Sequence, residues 1–217
     1  MNNAYSQWNN ICTVPQGGVL SPLLFSIFIN TLTAHLSANY HLYADDLQIY
    51  VQSTLDELPL AIQAMNDDLE NIANWSKDFG LQINPAKSQV IIIGSPLFIS
   101  RVKWAQLPGV YLDGVALALN KTVKNLGVFF DQTFSWGHHV KEISRKLYAA
   151  SSTLRRLSNF LPIRTKTMLA QSLLLPILDY ADSCSSDLNE ELLDKIERLQ
   201  NFCIRFIFGL RKYDHVS

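Results

Sequence analysis

No Asp or Glu precedes Asp45 in this sequence, so any chemistry that needs a carboxylate is carried by Asp45 or by something after it. Cysteine is scarce. Cys12, Cys184 and Cys203 are odd in number and widely spaced, with no CxxC or CxxH pair and no recognisable secretory signal. That pattern excludes a disulfide framework and a zinc module, and it makes a reducing, intracellular setting the expectation, with nucleus and cytoplasm undistinguished. No apolar run reaches the roughly 20 residues of a membrane-spanning helix. The run Leu173–Leu178 is short and broken by Pro176, so no membrane partner is expected. Internal repeats and low-complexity tracts are absent, which excludes solenoid and fibrous architectures. The formal net charge is −1. A nucleic-acid surface would therefore have to arise from uneven charge distribution rather than from the molecule as a whole.

What is present is a globular composition, 48% hydrophobic and 11% aromatic over 217 residues. Met1–Thr13 is polar, rich in Asn and aperiodic, the pattern of a loop. Pro15-Gln16-Gly17-Gly18 supplies a turn, and Ser21-Pro22 reads as an N-cap followed by Pro at the first helical position. The helix so opened is expected to run from Pro22 to about Ser37. Leu23, Leu24, Phe25, Ile27, Phe28, Ile29 and Leu32 make it apolar on most of its circumference, so burial on more than one side is expected. Strands are expected at His41–Ala44 and Leu47–Gln52. Leu58, Ile62, Met65, Leu69, Ile72, Trp75 and Phe79 recur at helical spacing and predict a helix from Pro59 to Phe79, stopped at Gly80.

Leu81–Ile83 and the β-branched Gln89–Ile93 read as strands of a buried sheet. Val110–Leu112 and Val115–Ala118 read as a hairpin about Asp113-Gly114, and Val123–Phe130 as one strand with a bulge at Gly127. Helices are expected at Ser135–Leu157, Arg164–Tyr180 and Glu190–Phe208. The fold class is therefore α+β: helices packed on a small antiparallel sheet over residues 1–133, then an all-helical region over residues 134–217.

Two features carry chemistry. Tyr43-Ala44-Asp45-Asp46 puts adjacent carboxylates at the reversal of a hairpin, where like charges repel unless a cation such as Mg²⁺ sits against them. Taken alone the pair reads equally as a solvated turn, since Asp is a common turn former. Between Lys141 and Lys166 there are seven basic residues against one acid, Glu142, while acids gather from Asp179 to Glu197. The basic run is either a solvated helix face or a surface for a nucleic-acid backbone. His138-His139 lacks accompanying Cys or carboxylate ligands and reads as surface or packing.

Three segments in order tip these readings. Pro15-Gln16-Gly17-x-x-Leu20-Ser21-Pro22-x-Leu24-Phe25 opens a helix, Tyr43-Ala44-Asp45-Asp46 sits in a hairpin, and Gly80-Leu81-x-Ile83-Asn84-Pro85-x-Lys87 leads into an expected strand. Together they resemble the palm of reverse transcriptases (RNA-directed DNA polymerases), especially those of non-long-terminal-repeat retrotransposons. Leu126-Gly127-Val128-x-x-Asp131-x-x-Phe134-x-Trp136, followed by a basic helix, resembles the passage from palm to thumb in the same elements.

The resemblance implies a partial palm over 1–133, without fingers and first catalytic strand, and a helical thumb-like region over 134–217. It implies Asp45 and Asp46 as ligands of catalytic Mg²⁺, with Tyr43 and Ala44 shaping the hairpin near the primer end. Gln16 and Gly17 would border template and nucleotide, and Lys87, which reads equally as an exposed turn lysine, would neutralise the departing pyrophosphate. Lys141, Arg145, Lys146, Arg155 and Arg156 would contact the nucleic-acid backbone. The implied partners are an RNA template, a DNA primer and deoxynucleotide triphosphates.

One departure limits the resemblance. Such enzymes hold their metals with a further Asp on a strand before the Gln-Gly motif, and no acid stands there. Two Mg²⁺ ions about 4 Å apart repel by roughly 17 kcal/mol at an effective dielectric near 20. Asp45 and Asp46 bring two negative charges against four positive ones. The expectation is a reverse transcriptase domain fragment that is inactive in isolation, its metal site incomplete unless a partner chain supplies the strand. The alternatives are a non-catalytic nucleic-acid-binding remnant and an interaction protein whose hairpin acids are surface charge.

Overall fold

The structure, a computed structural model, describes residues 17–180, 182, 187–211 and 214. They divide into two compact units, one running up to Val90 and taking in Ser100–Leu119, the other made of Ile91–Ile99 and the chain from Asn120 on. The architecture is α+β, with three two-stranded antiparallel sheets and helices.

In the first unit, α1 (Ser21–Asn30) is continued by a 3-10 turn, Thr31–His35, instead of reaching Ser37. The hydroxyls of Thr31 and Thr33 donate back to the carbonyls of Phe28 and Asn30, each at 2.8 Å, and such side-chain bonds compete with the helical ladder. Ser21 is the first helical residue, not the N-cap; Leu20 holds that position. The hairpin β1 (Asn39–Tyr43) and β2 (Asp46–Tyr50) follows, then α2 (Leu58–Asp78). Gly80, at φ +67°, ends α2 by letting Leu81 N–H reach the carbonyl of Ser76 at 2.8 Å.

Leu32, Ile72 and Trp75 form one core cluster of this unit, with Phe28 of α1, Leu47 and Ile49 of β2, and Leu81 and Ile83 packed on them. Each large side chain so buried is worth about 1.5–3 kcal/mol before the entropy cost. The expected burial of α1 on more than one side is not what the structure has: Leu23, Leu24 and Ile27 are 59%, 54% and 61% exposed. Only the Phe28–Ile29 side of the helix meets the core.

α3 (Pro96–Arg101) straddles the two units, and the hairpin β3 (Val110–Leu112) with β4 (Val115–Leu117) completes the first. Asp113 and Gly114 both have positive φ, +49° and +77°, the two-residue turn their sequence predicts. Gln89–Ile93 forms no ladder; a single parallel bridge joins Val90 to Leu119, and Ile93 is exposed. Leu81–Ile83 likewise belongs to no strand among the described residues. β-branching favours an extended backbone, but a strand also needs a neighbour in register.

The second unit begins with β5 (Thr122–Asn125) and β6 (Val128–Asp131), a hairpin rather than one bulged strand. Leu126 and Gly127 turn it at φ +43° and +85°. The Tyr180 hydroxyl donates to the Leu126 carbonyl, and a Cβ on Gly127 would lie 3.0 Å from the Tyr180 ring, so glycine is required twice over.

Four helices follow: α4 (Gly137–Leu157), α5 (Ile163–Leu169), α6 (Leu175–Asp179) and α7 (Glu190–Phe208). The single helix expected over Arg164–Tyr180 is interrupted by a π turn at Ala170–Leu174. Pro176 has no N–H to donate, and the ladder widens just before it. Leu147, Ala170 and Leu174 are fully buried with Leu199, Cys203 and Phe206. Burial, with the charge of Asp179 adding to it, pushes the Cys203 thiol up to about 11, so it packs as an inert apolar group.

Candidate functional site

Tyr43 pairs with Asp46 in the last rung of the β1–β2 ladder, which leaves Ala44 and Asp45 as a two-residue tip. The two acids are therefore adjacent in sequence but not equivalent, one in the loop and one in the strand. Ala44 is held at φ +52°, a left-handed conformation that costs a residue with a β-carbon on the order of 1 kcal/mol. Tyr43, Ala44, Asp45 and Asp46 are all exposed. Behind the tip, Leu47 and Ile49 enter the same core as Phe28 of α1 and as Leu81 and Ile83, four residues short of Lys87. The structure thus gathers the helix opened by the Gly17 turn, the acidic hairpin and the segment leading to Lys87 onto one apolar cluster.

Gly17 has φ +83° and open space where a Cβ would stand, so its need for glycine is conformational. Gln16 lies outside the described residues. Lys87 closes a 3-10 turn, Pro85–Lys87, capped by the Asn84 side chain, which accepts from Ala86 N–H at 3.1 Å. It is exposed.

Hard oxygen donors such as Asp45 and Asp46 suit Mg²⁺ in kind but not in number. Among the described residues no group of three or more His, Cys, Asp or Glu comes together, whereas Mg²⁺ demands near-octahedral coordination. The described residues do not by themselves make a complete metal site.

In the second unit, Lys141, Arg145, Lys146, Arg155 and Arg156 are all exposed on α4, whose opposite face carries the buried His139, Ile143, Leu147 and Leu154. They are not equally available. Arg145 donates to Glu142 at 2.9 Å, which raises the arginine's pKa and holds the carboxyl below its usual range. Arg155 lies over the Phe202 ring of α7, 5.3 Å from its centroid, in a cation–π contact that fixes the guanidinium on a rigid support.

Asp131 anchors the approach to α4. It accepts from the backbone and hydroxyl of Thr133 and of Ser135 at 2.7–3.0 Å. Burial pushes its carboxyl up, but those four bonds outweigh burial and hold it below the usual range. The turn so tied carries Phe134 and Trp136 at φ +52° and +62°.

His138-His139 serves packing. The His139 Nδ1 accepts from Phe129 N–H at 3.3 Å, and its imidazole is pushed below its usual pKa by burial first, then by the charges of Lys146 and His138. Protonation would remove the acceptor that links β6 to α4. Because the folded-state value lies below the unfolded one, this contribution is complete above about pH 6.5 and is lost as pH falls through the folded value. Melting temperature is expected to drop from pH 7 to pH 5, and His139→Gln, which keeps an acceptor without the titration, is expected to flatten part of that slope. Equal slopes would refute the role.

Two groups of residues escaped the sequence reading. Asp68 stands three residues after Met65 and four before Ile72, a polar residue inside the apolar stripe of α2, and that misfit was the available signal. It is 1% exposed and accepts from Ser37 N–H, Ser37 Oγ and Ala38 N–H at 2.9, 3.0 and 2.7 Å. Tyr180 and Phe202, which support the β5–β6 turn and Arg155, gave no signal, since their contacts are long-range.

A family model described as reverse transcriptase (RNA-dependent DNA polymerase) matches residues 1–130. Among curated relatives, the probable RNA-directed DNA polymerase from transposon BS of Drosophila melanogaster is 28% identical over 208 residues, 89% of this chain and 22% of that protein. The RNA-directed DNA polymerase from mobile element jockey, also of Drosophila melanogaster, is 26% identical over 211 residues, 92% of this chain and 22% of the relative. The chain thus spans under a quarter of the length of these relatives.

Proposed function

The chain belongs to the reverse transcriptase family, of the non-long-terminal-repeat retrotransposon type, and from that premise we propose that it is a palm and thumb fragment which grips an RNA–DNA duplex without polymerising on its own. Residues 1–133 serve as the partial palm and 134–217 as the thumb-like region. The observation that carries the reading is the shared core that seats α1, the acidic hairpin and the segment before Lys87 together. In this proposal Asp45 and Asp46 are two ligands of a divalent-metal site, the third carboxylate coming from a partner chain. Tyr43 and Ala44 shape the hairpin at the primer end, Gln16 and Gly17 border template and nucleotide, and Lys87 faces the pyrophosphate.

The basic face of α4 contacts phosphates without reading sequence. Fluorescence anisotropy with a labelled RNA–DNA hybrid is expected to give affinity that falls linearly with log salt. The Arg155→Ala/Arg156→Ala double variant should bind about tenfold more weakly, with the slope reduced by about 1–2. Arg145→Ala should cost less, because Glu142 already occupies that guanidinium. Binding insensitive to salt, or unchanged in the double variant, would refute the duplex-gripping role.

A further inference from the structure

α2 carries its polar brackets where two different hairpins hang from it. Asn66 clasps the start of β3 with its side-chain amide, donating to the Gly109 carbonyl at 2.9 Å and accepting from Tyr111 N–H at 3.0 Å. Two residues on, Asp68 receives the chain immediately before β1, both of its oxygens accepting and three donors converging from Ser37 and Ala38. Asn71 adds a bond to the His35 carbonyl at 3.2 Å. A carboxylate 1% exposed is costly to bury, and no ion pair of Asp68 stands among the described salt bridges. Its charge is met by backbone and hydroxyl donors alone. This donor set occupies the two residues immediately before Asn39, where β1 begins, and β1 leads directly to Tyr43-Ala44-Asp45.

We propose that Asp68 is the positioning residue of the acidic hairpin, its buried carboxylate fixing where β1 leaves α2 and hence where Asp45 and Asp46 stand. The proposal rests on the reading above only in treating the tip as the site; the anchoring itself is independent of what the tip does. Among the described residues β1 and β2 pair only with each other, and no further strand holds the direction of that sheet. The apolar contacts of Leu47 and Ile49 resist separation from the core but are non-directional. Directional bonds at Ser37 and Ala38 supply the orientation that packing lacks.

Amide hydrogen exchange on the full chain, read by mass spectrometry, tests this. Asp68→Asn would turn an NH₂ toward one of the donor groups, and it is expected to speed exchange in residues 37–50 about tenfold or more while β3–β4 keeps its rate. Asn66→Ala is expected to do the reverse, speeding β3–β4 and sparing β1–β2. A merely structural Asp68, needed only to keep α2 folded, would speed both hairpins alike, and that result, or no change in either, overturns the proposal. If Asp68→Asn does not fold, Ser37→Ala decides. It removes one donor of three and should speed exchange about threefold in residues 37–50 alone; an unchanged or unlocalised pattern overturns the proposal. Failure of the nucleic-acid reading would appear in duplex binding and leave this exchange pattern untouched.

Discussion

Given an RNA template, a DNA primer, deoxynucleotide triphosphates and Mg²⁺, the purified chain is expected to extend the primer at background rate, and Asp45→Asn is expected to be indistinguishable from it. Two carboxylates oppose the four positive charges of a metal pair whose mutual repulsion is roughly 17 kcal/mol at an effective dielectric near 20. Substrate phosphates compensate only in part. The geometry adds to the deficit, since Asp45 sits in the tip and Asp46 in the strand, both exposed, with no third ligand brought to them among the described residues. Extension above background, abolished by Asp45→Asn, would overturn this expectation and make the chain a polymerase in its own right. Extension gained only when a second polypeptide carrying a single-Asp strand is added would support the proposed partner chain.

The second large effect concerns stability. Leu147→Ala is expected to destabilise the second unit by about 3 kcal/mol, a change of roughly 150-fold in the folded-to-unfolded ratio. Leu147 is fully buried in one cluster with Ile143 of its own helix, Leu174 of the π turn and Leu199 and Cys203 of α7, so its truncation leaves a cavity in a packed core. Thermal unfolding by circular dichroism should show a fall of roughly 10–20 °C. A fall under about 3 °C would mean that the π turn at Ala170–Leu174 gives way and refills the site. Leu157→Ala on the same helix makes the control, because Leu157 is more than half exposed and should cost little.

Local rules carried much of this fold. Asp113-Gly114 forms the positive-φ turn that such a pair specifies, Gly80 ends α2 where a glycine after an apolar stripe should, and α7 spans Glu190–Phe208 as its periodicity requires. The failures are those of neighbourhood. Val90–Ile93 has the side chains of a buried strand but, among the described residues, only the single bridge from Val90 to Leu119, and Val123–Phe130 proved to be two strands because Leu126 adopts a left-handed turn under the Tyr180 hydroxyl. Pro176 announces that a helix is disturbed but not that the ladder widens instead of breaking.

The site divides along the same line. Sequence by itself determined the acidic pair, the motifs on either side of it, the basic face of α4 and the absence of any carboxylate before Asp45, because those are properties of residue type and order. Only the tertiary structure decided that Asp45 and Asp46 occupy unlike positions, that Arg145 is engaged while Arg155 is braced on Phe202, and that Asp68 ties the hairpin to α2. The bracing of Arg155 and the tie of Asp68 depend on a ring and on backbone groups that the chain brings back from far along the sequence. Residue order does not encode which distant donor will arrive; packing of the intervening helices does.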